Sequence, residues 1–325
     1  MLRRYRTIAA LAVAATIAAI ALSGCDDGND GSNESADGVT SIKVGFIPIG
    51  VYSYLWRAED AGYFAEQNLE VELVPMAGGG EIIPALQSRS LQFGISDALG
   101  VINARNGGID ATYVSFNFAQ SAEDPVHAVL TGNPEVSSPA DLAGKTVATN
   151  LSYNTDWTMM RMWLRQHGVD PESVNFQELP FPDMLAALRN GTVDAAGVAE
   201  PFYTQGENDG LRVLGNYFTE VRSPVVFSGM VALDSYIEDN EDVVERFVTA
   251  IHQAINDFNN DPQVARDTIA EHTEIDPELV ASMRLGEWNA SSSTEDIQFW
   301  VDAANSEGIL DGGSVDANEL LWRTG

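Results

Sequence analysis

The side chains that most often carry catalysis are sparse and poorly spaced in this sequence. His127, His167, His252 and His272 lie far apart, and the single cysteine, Cys25, is remote from all four, so spacing discloses no metal-ligand set. No G-x-S-x-G elbow, P-loop or dinucleotide fingerprint occurs. What remains is a series of aromatic, amide, hydroxyl and carboxyl groups in short segments that follow apolar runs. Such groups hold a molecule rather than transform it: rings stack on planar surfaces, and amides and hydroxyls exchange hydrogen bonds. The chain is therefore read as a non-enzyme with no cofactor and no metal.

Each candidate keeps two readings. Tyr52 and Tyr54, in Ile49-Gly50-Val51-Tyr52-Ser53-Tyr54, either stack on a planar ligand or pack a cleft wall. Gly78, Gly79 and Gly80 either bare backbone amides to a carboxylate, sulfonate or phosphate at a helix start, or make a tight turn. Ser96 and Asp97 follow an apolar run; Asp97 either holds a ligand amine or caps its helix. Asn117 ends another run. In Asn150 to Trp157, the groups of Ser152, Tyr153, Thr155 and Trp157 are offered to a ligand, although Ser152 or Thr155 is also an ordinary N-cap. Glu200 either precedes a helix whose first residue is Pro201 or accepts hydrogen bonds from an exocyclic amine. These loops hold no lysine or arginine, since Arg57 and Arg161 fall inside helices, so a bare anion suits them less than a planar nitrogen-containing or aromatic molecule.

The elements that must position these groups alternate. Ile42–Pro48, Leu69–Met76, Leu91–Ser96 and Ala111–Phe118 read as strands, separated by helices at Tyr54–Phe64, Glu81–Gln87 and Asp97–Asn106. A second set runs from Lys145 to about Val221, with a helix at Thr155–His167 ending at Gly168. The alternation implies βαβ units on parallel sheets. Two extended apolar segments, His127–Thr131 and Val225–Ala232, are expected to cross between two lobes as a hinge, giving residues 41–130 and 226–325 to lobe 1 and 131–225 to lobe 2. Everything after Leu233 reads as helical; in Glu241–Phe258 the residues Val244, Phe247, Val248, Ile251 and Ile255 fall at 3,4 spacing.

Arg3, Arg4 and Arg6 precede an alanine-rich apolar run that ends at Leu22-Ser23-Gly24-Cys25. This is the layout of a secretion signal, and the tetrapeptide resembles a bacterial lipobox, in which the cysteine is acylated. Residues 1–25 are thus expected to be a lipoprotein signal peptide and 26–40 a disordered acidic tether, since that stretch has almost no apolar surface to bury. The formal net charge of −31 excludes nucleic acid as a partner, because phosphate binding needs a basic face.

The residues also carry a family resemblance. The run Lys43-Val44-Gly45-Phe46 to Pro48, Ala61-Gly62-Tyr63-Phe64, Leu69 to Leu73, Gly78-Gly79-Gly80 and Phe93-Gly94-Ile95-Ser96, followed by Ala186 to Ala195 and Glu200-Pro201-Phe202, resembles the ABC-importer solute receptors for nitrate, sulfonates, taurine and thiamine-precursor pyrimidines. The resemblance spans nearly all of 41–325. It implies an α/β, type 2 periplasmic-binding fold, with two lobes of mixed sheet flanked by helices and joined by a two-segment hinge. It also implies an extracytoplasmic, lipid-anchored monomer that serves permease and ATPase subunits. An alkyl sulfonate such as taurine, or nitrate, is the alternative ligand. One branch of the family makes the pyrimidine instead of binding it, and the cysteine-rich motif of that branch is absent here.

Overall fold

Two separate sheets organise the chain. The computed structural model describes residues 33–34, 38–289 and 293–323, all within one compact unit, Gly31–Gly325. The expected signal peptide with Cys25, and most of the expected tether, lie outside the described residues; within the tether, Asn33 and Glu34 pair with Ser41 and Thr40.

The first sheet contains β1 (Asn33–Glu34), β2 (Thr40–Phe46), β3 (Leu69–Pro75), β4 (Phe93–Asp97), β5 (Ala111–Gln120), β11 (Val225–Leu233) and β12 (Glu287–Trp288). Its order is β3-β2-β4-β11-β5-β12, with β1 at one end of β2. The second contains β6 (His127–Thr131), β7 (Thr146–Thr149), β8 (Asn175–Glu178), β9 (Ala195–Ala199) and β10 (Arg212–Gly215), in the order β10-β6-β9-β7-β8. Neither sheet is purely parallel: β11 runs antiparallel to β4 and β5, and β6 runs antiparallel to β9 and β10. The two mixed sheets implied by the resemblance are thus present; the parallel βαβ reading of the alternation misses only the antiparallel members, because the long β5 and β11 are completely buried strands whose apolar pattern does not encode direction.

The chain passes between the sheets through residues 121–126 and 216–224. His127–Thr131, expected as a crossing segment, lies wholly in the second sheet, and Val225–Leu233 lies wholly in the first. A short apolar run reads the same in either sheet; only its pairing partners, here Ala196–Ala199, assign it.

Helices flank both sheets. Around the first are α1 (Ser53–Asp60), α2 (Tyr63–Glu66), α3 (Gly79–Gln87), α4 (Ala98–Asn106), α8 (Asp234–Asp239), α9 (Glu241–Asn260), α10 (Pro262–His272), α11 (Pro277–Ser282) and α12 (Thr294–Ser306). With the second are α5 (Thr155–Gln166), α6 (Phe181–Arg189) and α7 (Phe202–Asn208). The single helix expected over 54–64 is broken at Gly62, which adopts the left-handed region at φ 78°. The helical reading beyond Leu233 fails at β12, and near the end of the chain Ala317–Leu320 turns as a 3-10 helix.

Helix α9 buries Val243, Val244, Phe247, Ala250, Ile251, Ala254, Ile255 and Phe258 along one face. There Phe247 stacks on Phe93, with centroids 4.1 Å apart, and on Phe64 at 5.8 Å. Truncating a buried ring of this kind costs about 3–5 kcal/mol. That packing holds β4 rigidly and so fixes where its last residue, Asp97, must sit.

Candidate functional site

Strand β4 delivers Ser96 and Asp97 to its carboxyl end, where α4 begins. Asp97 is the N-cap of α4: its Oδ1 accepts the Gly100 amide at 2.6 Å. Gly100 leaves these side chains their room, since a Cβ there would meet Ser96 Oγ at 2.5 Å and Asp97 Oδ1 at 2.9 Å and one of them would have to move. The other carboxylate oxygen, Oδ2, accepts the hydroxyl of Thr155 at 3.0 Å. Thr155 opens α5 beside the second sheet, so capping and contact between the two lobes coexist in one side chain.

Around this contact the chain gathers polar groups from both lobes. Tyr113 Oη donates to the Asp97 carbonyl at 2.6 Å. Ser228 on β11 is the register partner of Asp97, and directly opposite residues of an antiparallel pair share a face. Tyr52 is buried; loss of hydration raises its phenol pKa, Ser228 opposes the rise, and the charges of Asp97 and Asp156 add to it. Tyr52 is therefore within electrostatic reach of an acid from each lobe. Tyr54 is fully buried, with its pKa raised chiefly by desolvation, and Asn117 faces it without closing a direct hydrogen bond.

Asp156 completes the cluster from the second lobe. It is 7% exposed, and its Oδ1 accepts Tyr217 Oη at 2.6 Å. Desolvation raises its pKa to about 7, opposed by the Tyr217 hydrogen bond and assisted by the charge of Asp97. Asp97 is raised as well, by desolvation, against the hydrogen bonds from Gly100 and Thr155. His127 Nε2 lies 3.6 Å from Asp156 Oδ1, but burial against Phe218 lowers its pKa to about 3, so it is neutral there. Among the described residues no lysine or arginine forms an ion pair with either aspartate.

Several buried polar atoms in this region have no protein partner: Tyr54 Oη, Ser53 Oγ, Ser228 Oγ, and both amide atoms of Asn117, which is 0% exposed. An unpaired buried polar group costs about 1–3 kcal/mol, so a concentration of them marks a place built for something that completes the bonds.

The remaining candidates separate. Gly79 lies beside Ser96, a Cβ on it meeting Ser96 Oγ at 3.9 Å, and no atom would meet one on Gly80, so the α3 N-terminus is bare next to the cluster. The Ser152 amide donates to Glu178 Oε1 at 2.9 Å, in the loop after β7. Tyr153 is 60% exposed and has a left-handed φ of 63°. Asn154, not Ser152 or Thr155, caps α5, by accepting the Trp157 amide. Trp157 is not an open platform: Arg161 lies 4.4 Å above its ring, with Tyr153 at 4.8 Å. The three exposed large hydrophobics, Ile49, Leu151 and Tyr153, all fall in the loops after β2 and β7.

Glu200 is committed elsewhere. It accepts Thr204 Oγ1 at 2.8 Å, the Thr204 amide at 3.2 Å and Arg284 Nη1 at 3.3 Å. Arg284 also reaches Glu207 Oε2 at 2.8 Å and covers the Tyr203 ring at 3.9 Å. Following α11 of the first lobe, it clasps α7 of the second. The Glu200 carboxylate is thus a fastening between lobes, its acceptor capacity taken by the clasp.

Two pairings off the cluster emerge only in three dimensions. His272 Nε2 meets Asp60 Oδ2 at 2.7 Å, with Glu271 near enough that the three could hold a cation at the α1–α10 surface. Ser115 Oγ lies 3.0 Å from His252 Nε2 between β5 and α9, and among the described residues no ion pair orients that histidine. Asp156, Ser228, Tyr217 and Arg284 are the residues of the region that the sequence did not single out.

Comparison with known proteins bears on the fold and the family. The chain is 26% identical over 255 residues to a protein of Brachyspira hyodysenteriae provisionally named as an ABC transporter periplasmic binding protein, covering 73% of this chain and 70% of that one. It is 26% identical over 181 residues to the formylaminopyrimidine-binding protein of Halalkalibacterium halodurans, covering 55% of this chain and about half, 52%, of the relative. The structure of the periplasmic aliphatic sulphonate binding protein of Escherichia coli superposes with a TM-score of 0.72, covering 87% of this chain and 97% of that one at 19% identity. That likeness establishes a periplasmic-binding protein fold of two α/β lobes. A family profile described as NMT1/THI5 like matches residues 51–265, and the chain belongs to that family.

Proposed function

We propose that this chain is an extracytoplasmic solute-binding receptor of an ABC importer, which captures a small planar nitrogen-containing or aromatic molecule between its lobes and presents it to permease and ATPase subunits. The observation that carries the reading is the Asp97–Thr155 contact, where acids, hydroxyls and an unpartnered amide from both lobes converge. A site shared by two bodies is completed when they close, and a ligand that touches both shifts the population towards closure. The names of the relatives above support the same class. The lobes meet at the passages 121–126 and 216–224, which serve as the hinge. The receptor acts as a monomer held to the membrane through an acylated Cys25; among the described residues no helix is long and apolar enough to cross a membrane.

The aromatic side of the ligand faces Tyr52 and the exposed Tyr153, with Trp157 supporting Tyr153 from behind. A sulfonate is the second reading, favoured by the bare α3 N-terminus next to Ser96. A thermal-shift screen of pyrimidines, aromatic acids, heterocyclic amines, sulfonates and nitrate, with product analysis on each hit, tests the proposal. A ligand at about 100 times its dissociation constant stabilises by about 2.7 kcal/mol and is recovered unchanged. A compound that is consumed makes the protein an enzyme and removes the receptor reading.

A further inference from the structure

The two aspartates of the cluster are an unusual pair: one comes from each lobe, and neither has a cationic partner. We propose that the ligand carries a positively charged nitrogen, clamped between Asp97 of the first lobe and Asp156 of the second. This rests on the receptor reading above and narrows its ligand class to planar organic cations such as amidinium, guanidinium or N-alkylated heterocycles.

Three independent observations carry it. The first is charge balance. Burying a carboxylate without a counter-charge is expensive, and buried acids are ordinarily paired with lysine, arginine or metal. Two buried acids elsewhere follow that rule: Arg161 binds Glu307, whose side chain is 0% exposed, and Arg284 binds Glu200, at 8%. At Asp97 and Asp156 it is not followed, although Thr155, whose hydroxyl bonds Asp97 at 3.0 Å, directly precedes Asp156. The groups facing them are Tyr52, Tyr113 and Tyr217, Thr155, the Asn154 side-chain amide, the Gly100 amide and a neutral His127, none of which supplies positive charge.

The second is the set of buried polar groups that close no direct hydrogen bond. Ser228 is 1% exposed, sits opposite Asp97 on the neighbouring strand and faces the Tyr52 phenol, and its hydroxyl closes no direct hydrogen bond. Asn117 and Tyr54 add an unsatisfied amide and phenol. These are the acceptors and donors that a nitrogen heterocycle with N–H groups would complete, with its charge against the carboxylates and its ring beside Tyr52.

The third is the long-range field. A chain of net charge −31 raises the local concentration of cations and repels anions, so it favours the encounter that the two aspartates then consummate. A sulfonate or nitrate would have to approach two carboxylates against that field.

Matched cation and neutral probes decide the matter: benzamidinium against benzamide, 1-methylnicotinamide against nicotinamide, and phenylguanidinium against phenylurea, with taurine and benzoate as anions. Binding is measured by calorimetry at pH 8 on the full mature chain. The inference predicts that the tightest binder is a cation, at least about tenfold tighter than its neutral partner. In Asp97→Asn and Asp156→Asn that preference falls to near unity, while the circular dichroism stays that of the wild type. Tighter binding of a neutral probe or an anion leaves the receptor standing and overturns the charge assignment. So does a cation preference that survives both substitutions, or the failure of every cation to bind. Conversion of a probe to product instead removes the receptor reading itself.

Discussion

Replacing Asp156 by asparagine should stabilise the empty protein, and the gain should depend on pH in a defined way. Asparagine matches the protonated carboxyl in shape and still accepts the Tyr217 hydroxyl now 2.6 Å from Oδ1. Loss of hydration pushes the Asp156 pKa from the ordinary aspartate range up to about 7. A carboxyl raised on folding binds its proton more tightly in the folded state, so its contribution is neutral below the unfolded value. It becomes increasingly destabilising as pH rises towards 7, then levels off. The gap between the ordinary aspartate range and about 7 sets a ceiling of about 4 kcal/mol on that penalty. Opening of the lobes rehydrates the carboxylate and limits the penalty, so about 1–4 kcal/mol is the expected range. Urea denaturation of wild type and Asp156→Asn at intervals from pH 4 to pH 8 measures it directly. The advantage of the variant should be small at pH 4, grow to about pH 7 and stay level above. Stability curves that run parallel across the range, or a variant weaker at pH 8, would refute the assignment of a buried, uncompensated carboxylate.

Removing the clasp with Arg284→Ala leaves Glu200, whose side chain is 8% exposed, without its cation; a loss of about 1–2 kcal/mol and a larger radius of the empty protein in solution scattering are expected. Asn117→Leu replaces an amide with two unsatisfied atoms by an apolar group, so it should raise stability by about 1 kcal/mol in a melt while weakening ligand binding at least about tenfold. Cys25→Ala should move the expressed protein from the detergent phase to the aqueous phase in Triton X-114 partitioning; equal partitioning of the two forms would rule out the anchor.

Much of the architecture was legible because local physics and global fold agree. The 3,4 spacing of Val244, Phe247 and Ile251 marks α9, and Pro262 and Pro277 stand at the first residue of α10 and α11 as their missing amide hydrogens allow. Pairing was not legible. β6 and β11 are apolar runs whose sheet and direction are set by partners distant in sequence, and the two-residue β12 has no pattern of its own. Among the candidate residues, the end-of-strand rule named Ser96, Asp97, Asn117 and Thr155, and of these the structure joins Asp97 to Thr155 by a hydrogen bond. It did not separate Asp156 from an ordinary acid in the first turn of a helix, where aspartate is favoured by the dipole. Ser228 lies mid-strand and Tyr217 in a loop, so neither carries a local signal. Glu200 was read as available because its cation, Arg284, is 84 residues away.

The central claim is that a ligand joins two lobes across the Asp97–Thr155 contact. Small-angle scattering of the mature chain, empty and saturated with the tightest ligand from the screen, tests this most directly. The account predicts a smaller radius of gyration on saturation, because the ligand selects the closed arrangement from a population that includes open ones. An unchanged radius at verified saturation would mean a rigid pocket within one lobe, and would contradict it.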